Sequence, residues 1–296
     1  MKNLTINHIL FLSIIFSGCN VEKKDINKMN VESARDSKPV VLYSVPGMDK
    51  VIIKKEIPYT DPLDSNRTID IYYPPKFKFD KRLPTVLVVS GFNKQAMRRL
   101  GRSITEDSWY ISWGKLIAAS GMAAILYETD NPEKDLKAIS NYIQNYGDNH
   151  KIDTSNIGIY ACSGHVPLAI SYALNDSSKI FKCAVLYYGL ILTADFNHIS
   201  SIDSMAKKYG FANPRLGPVQ KWRVDLPILF VRAGLETTPN LNDAFGHFYN
   251  KAITQNLPII VINYSKGVHG FEALNDNDET REIIKRTIDF WKFQLK

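Results

Sequence analysis

The feature of this chain that most limits its fold is the alternation of short apolar runs with amphipathic helical patterns. Residues 85–89 (TVLVV) and 122–127 (MAAILY) are continuous apolar runs, which are typical of strands buried on both faces. Between later runs of this kind, residues 135–146 carry Leu136 and Ile139 at helical spacing. Strands that alternate with helices in this way predict a mainly parallel sheet with helices on both faces.

The strand-like runs indicate a sheet of about eight strands. They are residues 51–53, 68–73, 85–89, 122–127, 157–160, 183–188, 228–231 and 259–262. The first two have no helical pattern between them and are expected to form an antiparallel start. Helical patterns cover residues 111–119, 135–146, 166–174, 242–254 and 279–295. We therefore predict one α/β domain over residues 40–296, in which the irregular residues 191–223 form either a lid over the site or a surface excursion.

Composition excludes several classes of protein. Of 296 residues, 45% are hydrophobic, which is too apolar for a disordered chain. The net charge of +7 is spread along the chain, with no basic stripe and interleaved aromatics, so we expect no nucleic-acid partner. Three cysteines are too few for a disulfide framework.

The N-terminus has the pattern of an export signal. A short apolar core at residues 9–16 follows Lys2 and is too short to span a membrane. Ser17 and Gly18 precede Cys19 and resemble a bacterial lipoprotein cleavage box, although Phe16 departs from it. We expect residues 1–18 to be a signal peptide, Cys19 to be lipidated and residues 19–39 to be a flexible tether. Such a protein would be exported and membrane-anchored; plain secretion is the alternative.

Residues 156–174 (NIGIYACSGHVPLAISYAL) predict a strand that turns sharply into a helix with Ser163 at the corner. This arrangement is typical of a nucleophile elbow, which exposes one hydroxyl beside the free N–H groups of a helix N-terminus. The alternative is a serine that caps an ordinary helix. A catalytic serine would also need a base and an orienting carboxylate.

The best candidates for base and carboxylate are His269 and Glu236, because each follows a predicted strand. The other five histidines are less suitable: His8 in the signal, His150 and His198 in polar or irregular segments, His247 in a helix, and His165 too close to Ser163 in sequence. Asp225 and Asp243 compete with Glu236, but one precedes its strand and the other lies in the next helix. The expected oxyanion donors are the backbone N–H groups of Gly164 and Phe92.

Together, residues 68–74 (TIDIYYP), 90–92 (SGF), Ser163 and 268–271 (VHGF) resemble the α/β-hydrolase superfamily, most closely its dienelactone-hydrolase and esterase-like branch. The resemblance covers nearly everything after residue 40. It implies an eight-stranded, mostly parallel sheet and hydrolysis of a small-molecule ester or related acyl bond without a cofactor. It also implies Ser163 as nucleophile, His269 as base and Glu236 as acid.

The chain departs from that pattern in three ways. Ala161 and His165 flank Ser163 where the family has glycines, and His165 is bulky enough to alter the turn or the site. Glu236 replaces the usual aspartate, and Cys162 offers a competing nucleophile of the kind that true dienelactone hydrolases use. A non-catalytic surface protein that binds a ligand or partner is therefore the alternative function, and a peptide or lactone is the alternative bond.

Overall fold

The computed structural model describes residues 39–60, 66–175, 179–193 and 195–296. Its strands are β1 (Ile52–Pro58), β2 (Thr68–Tyr73), β3 (Leu83–Val88), β4 (Ala123–Tyr127), β5 (Ile152–Cys162), β6 (Phe181–Tyr187), β7 (Ile228–Ala233) and β8 (Ile259–Tyr264). The α-helices are α1 (Lys94–Arg99), α2 (Ser108–Ala119), α3 (Pro132–Tyr146), α4 (Val166–Asn175), α5 (Ile199–Tyr209), α6 (Leu241–Thr254), α7 (Phe271–Leu274) and α8 (Asp278–Gln294). Short 3₁₀ turns cover Met48–Lys50, Gly147–His150, Ser163–His165 and Val219–Lys221.

The strands form one eight-stranded sheet in the order β1-β2-β4-β3-β5-β6-β7-β8. The strand pairs β1–β2 and β2–β4 are antiparallel, and every later pair is parallel. This confirms the predicted mostly parallel sheet with an antiparallel start.

Helices cover both faces of the sheet because successive strand residues point to opposite sides. On one face, Trp113 of α2 and Trp291 of α8 pack with their rings 6.1 Å apart and against Tyr160 of β5. On the other face, Ile139 of α3 and Phe248 of α6 are fully buried with α4. The apolar faces of these helices are therefore the faces that pack against the sheet, as their amphipathic patterns predict.

The carboxyl ends of β3, β5, β6, β7 and β8 lie at the same edge of the sheet, with β5 near its centre. Because parallel strands end at one edge, the loops that follow them meet there. These loops carry Phe92, Ser163, Tyr188, Glu236 and His269. The topology thus brings together segments that are up to 177 positions apart (269 − 92).

Three helices, α1, α5 and α7, lie outside the helical patterns predicted from the sequence. Helix α1 lies between the predicted strand 85–89 and the predicted helix 111–119, where the sequence predicts an arginine-rich loop. The Asn93 side chain caps this helix by accepting from the Ala96 N–H at 2.8 Å. Helix α5 lies within residues 191–223, where it buries Ile202 and Ala206. The predicted signal peptide, Cys19 and all but residue 39 of the tether lie outside the described residues. Among the described helices, none combines the length and apolarity that crossing a membrane requires.

Candidate active site

Ser163 lies at the corner between β5 and α4, as the sequence predicted. Strand β5 ends at Cys162, one 3₁₀ turn covers Ser163–His165, and α4 starts at Val166. The backbone of Ser163 has φ = 54°, in the left-handed region that a residue with a Cβ rarely adopts. Strain of this kind is retained where the surrounding structure enforces it, and it is common at functional sites. Here it turns the hydroxyl out of the end of the sheet.

His269 contacts that hydroxyl. Its Nε2 lies 2.7 Å from Ser163 Oγ, across 106 residues of sequence. The histidine belongs to the loop after β8, which turns back over the sheet edge at Gly270, a glycine with φ = 78°. A left-handed backbone at this position favours glycine, which explains why a glycine follows His269.

Glu236 holds the other side of the His269 ring. Its Oε2 lies 2.5 Å from His269 Nδ1, and its Oε1 accepts from the backbone N–H of Thr238 at 2.7 Å. Burial alone would raise the pKa of Glu236, but the hydrogen bond and charge of His269 and the bonds from Thr238 hold this pKa below its usual value. The side chain is fully buried, so the acid is an ionised, doubly bonded group that fixes the tautomer of the imidazole.

The loops that carry Glu236 and His269 are bonded to each other. The Gly234 N–H donates to the Tyr264 carbonyl at 2.7 Å, and the Leu235 N–H donates to the Gly267 carbonyl at 2.9 Å. A Cβ on Gly234 would lie 2.3 Å from the Ser265 carbonyl oxygen, so only glycine allows this approach. The structure therefore places the three predicted residues in one hydrogen-bonded series.

Of the two predicted oxyanion donors, Gly164 lies in the elbow, the turn Cys162–His165, and Phe92 lies beside it in the loop after β3. Gly164 is in the first turn after β5, where the N–H has no intrahelical acceptor. Phe92 lies against it, since a Cβ on Gly164 would be 2.5 Å from Phe92 Cζ. Phe92 also pairs with Phe211 as an antiparallel bridge, in which Ala212 N–H donates to the Gly91 carbonyl at 2.7 Å.

His165 does not displace the elbow. It is 2% exposed, and burial, followed by the nearby Arg102, lowers its pKa to about 3, so the ring is neutral. The room comes from neighbouring loops: a Cβ on Gly91 would lie 2.7 Å from His165 Cα, and one on Gly189 would lie 2.2 Å from Val166 Cβ. The close approach that glycines in the elbow usually permit is provided here by glycines opposite it.

The other candidates for nucleophile, base and acid either have different partners or, as with the Cys162 thiol, have the wrong protonation state. Burial raises the pKa of the Cys162 thiol, which is the reverse of what a cysteine nucleophile requires. His150 bonds to Tyr142 and His247 to Asp195, while Asp225 pairs with Lys179 and Arg223. His198 precedes α5 without capping it, and Asp243 is exposed in the first turn of α6. The described residues include no group of three or more metal-ligating side chains that could hold an ion.

Two pockets meet at Ser163 and His269. The first is lined by Phe92, Met97, Leu100, Arg102, Trp109, Tyr110, Cys162, His165, Tyr188, Leu235, Thr237, Val268 and Leu274. The second is lined by Phe92, Gly164, Leu190, Met205, Tyr209, Phe211, Thr238, Pro239 and Leu241. Both pockets are mainly apolar. Helix α5 and Phe211, two residues after its end, supply part of the second pocket. A substrate could therefore place one group on each side of the serine.

Glu272 is a buried acid that sequence reasoning missed. It lies in α7, fully buried, and its Oε1 accepts a hydrogen bond from Tyr188 Oη. Burial raises the pKa of Glu272 to about 7 even though the bond from Tyr188 opposes this shift. The Tyr188 ring in turn packs against the His269 ring, with centroids 4.6 Å apart. Glu272 thus holds Tyr188 against the His269 ring and does not contact Ser163.

The raised pKa of Glu272 predicts a pH-dependent stability. The folded state holds this proton more tightly than the unfolded chain, so the stabilisation is complete below pH 4.5 and is lost as pH rises toward 7. A shift of this size corresponds to roughly 3 kcal/mol. Urea unfolding at pH 5 and pH 8 should show a larger drop in the unfolding free energy for the unsubstituted protein than for Glu272→Gln. The exposed Glu279→Gln is the matched control, and equal drops in all three would contradict the prediction.

No protein-family model matches the chain, and no curated protein matches it in sequence. Solved structures do match in fold. A thermostable esterase from Pseudomonas putida has a TM-score of 0.65 at 14% identity, over 86% of each chain. Carboxyl esterase 2 from Tuber melanosporum has a TM-score of 0.60 at 17% identity, over 89% of this chain and 97% of that one. Esterase B from Lactobacillus rhamnosis has a TM-score of 0.59 at 13% identity, over 85% of this chain and 89% of that one. The chain therefore has the α/β-hydrolase fold, as predicted.

Proposed function

We propose that this protein is a serine hydrolase that cleaves carboxylic esters through an acyl-enzyme intermediate. The observation that carries the proposal is the series Ser163 Oγ, His269 Nε2, His269 Nδ1 and Glu236 Oε2, with contacts of 2.7 and 2.5 Å. The esterase names of the structural neighbours agree with this reaction class. His165, which motivated the non-catalytic alternative, leaves the contact between Ser163 and His269 intact, so we favour the enzyme.

The geometry supports a two-step reaction. Ser163 Oγ forms a bond to the ester carbonyl carbon as His269 Nε2 takes the hydroxyl proton, and the carbonyl electron pair moves onto oxygen. The N–H groups of Phe92 and Gly164 would stabilise that oxyanion. When the tetrahedral species collapses, the ester C–O bond breaks and the alcohol leaves with the proton from Nε2. Water, deprotonated by the same nitrogen, then releases the acid and restores Ser163.

The two pockets suggest how an ester lies in the site, with its acyl group on one side of Ser163 and its alcohol on the other. We propose that residues 191–223 act as a cover, because Met205, Tyr209 and Phe211 line the second pocket. Small apolar esters suit these walls. A peptide or a lactone is the alternative bond to test next.

A fluorophosphonate probe tests the proposal directly. The purified protein should gain the mass of one phosphonyl group with loss of fluoride, and peptide mapping should place it on Ser163. The probe should fail to label Ser163→Ala, while Cys162→Ala should label like the unsubstituted protein. Saturable ligand binding without an adduct, and without hydrolysis of any ester in a panel, would instead favour the binding protein.

We also propose that the chain is exported and anchored through a lipid on Cys19, on the strength of residues 1–19 alone. In a bacterial host, a fatty-acid label should appear on the full-length protein and disappear in Cys19→Ala. Label retained in that variant would remove Cys19 from this role.

A further inference from the structure

His165 is buried, and its ring bonds to two segments that are distant from it in sequence. Its Nδ1 accepts from the backbone N–H of Gly91 at 2.7 Å, and its Nε2 lies 2.9 Å from Tyr110 Oη. Because Nδ1 is an acceptor, the single proton of the neutral ring is on Nε2, which donates to the tyrosine oxygen. Both ring nitrogens are thus used, in one defined tautomer.

The first of these bonds joins the elbow to the β3 loop, residues 89–93. Gly91 comes directly before Phe92, so the position of Gly91 sets where the Phe92 N–H lies. The Gly91 carbonyl is held separately by the Ala212 N–H at 2.7 Å, from outside the elbow. The Phe92 ring meets the His165 ring edge-on, with centroids 4.9 Å apart, and covers Gly164. His165 therefore touches both segments that carry the proposed oxyanion donors.

We propose that His165 is a positioning residue, which clamps the β3 loop to the elbow so that the N–H groups of Phe92 and Gly164 converge on one oxyanion. This inference rests on the proposed function and deepens it. The imidazole acts through Gly91 and does not contact substrate oxygen. A misplacement of about 1 Å can cost about 10²-fold in rate, so a clamp on one donor matters.

A packing role for His165 predicts something different, and a matched pair of variants separates the two. Asparagine and leucine have nearly the same shape, but only asparagine has an oxygen that can take the place of Nδ1 as acceptor for the Gly91 N–H. Both variants lose the ring and its bond to Tyr110. If His165 only fills space, His165→Asn and His165→Leu should behave alike.

The experiment measures kcat and KM for p-nitrophenyl butyrate, and Ki for a trifluoromethyl ketone whose adduct with Ser163 places an oxyanion in the same site. His165→Leu should lose about 10²–10³-fold in kcat, the loss expected for one oxyanion donor, with KM changed by less than about threefold. Its Ki should weaken in parallel. His165→Asn should recover at least about tenfold in kcat over His165→Leu.

Tyr110→Phe is the third variant, and it removes the acceptor for the Nε2 proton. In the protein that keeps His165, Tyr110→Phe should lower kcat. The imidazole proton is then free to move to Nδ1, and Nδ1 can no longer accept the hydrogen bond from the Gly91 N–H. In the His165→Asn background, where the bond to the imidazole is already gone, the same substitution should lower kcat by a smaller factor. Thermal unfolding of each variant separates loss of fold from loss of alignment.

Equal kcat and Ki values for His165→Asn and His165→Leu in folded protein would overturn the positioning role. So would a Tyr110→Phe effect of the same size in both backgrounds. If His165→Leu does not fold, the comparison of Tyr110→Phe in the His165 and His165→Asn backgrounds decides alone. Failure of the proposed function would be seen separately and earlier, as unsubstituted protein with no turnover that depends on Ser163, and it would remove this inference as well.

Discussion

Ser163→Ala is expected to lower kcat for small aryl esters by about 10⁶-fold while KM changes little. In the proposed mechanism, the substitution removes the oxygen that would attack the carbonyl carbon, but leaves the pockets and the two proposed backbone donors in place. Residual turnover about 10³-fold above the uncatalysed rate should therefore remain. Initial rates with p-nitrophenyl butyrate measure the effect, and the release of p-nitrophenol must be corrected for the spontaneous reaction.

His269→Ala should cost about as much as Ser163→Ala, and the double variant no more than either. Such non-additivity is expected because Ser163 Oγ and His269 Nε2, 2.7 Å apart, act as one unit. Cys162→Ala is the control, since its thiol is adjacent in sequence but buried and protonated. Loss of turnover in Cys162→Ala with turnover retained in Ser163→Ala would reverse the assignment of the nucleophile.

The sheet was predictable because each strand carries its own signal. Runs such as 85–89 and 122–127 are apolar throughout, and burial on both faces requires this of any central strand. The boundaries were less predictable where polar residues extend a strand. Strand β5 begins at Ile152, five positions before the predicted 157, because polar residues of 153–156 continue it before it becomes fully buried.

Helices α1 and α5 show where local signals are insufficient. Helix α1 has only six residues, too few for a periodic pattern, and its cap at Asn93 is a single side chain. Helix α5 has an amphipathic pattern, but it lies in residues 191–223, which interrupt the alternation of strands and helices. The sequence therefore gives no firm prediction for either helix.

The candidate triad was predictable in sequence because its members follow strands, and parallel strands end at one edge. The accommodation of His165 was not predictable, since the space for it depends on Gly91 and Gly189, which are distant in sequence. Glu272 was missed for the same reason. Its burial and its bond to Tyr188 arise only when α7 packs under the loop after β6.

Glu236→Gln is expected to lower kcat by about 10⁴-fold with little change in KM or stability. The direction follows from Thr238, whose backbone N–H donates to Oε1 at 2.7 Å. In the variant, that N–H would hold the amide oxygen at the Oε1 position, which places the amide NH₂ against His269 Nδ1. Nδ1 would then have to accept, the ring proton would move to Nε2, and Nε2 could no longer take the proton of Ser163.

Glu236→Asp is the matched control for charge, because it keeps the carboxylate but shortens the side chain by one methylene. It should lose far less activity than Glu236→Gln, since an aspartate still accepts from Nδ1. Phosphonylation of Ser163 should slow in the same order, because that reaction also needs the proton removed. If Glu236→Gln and Glu236→Asp were equally active, tautomer control by Glu236 would be wrong, and Asp243 would be the next carboxylate to substitute.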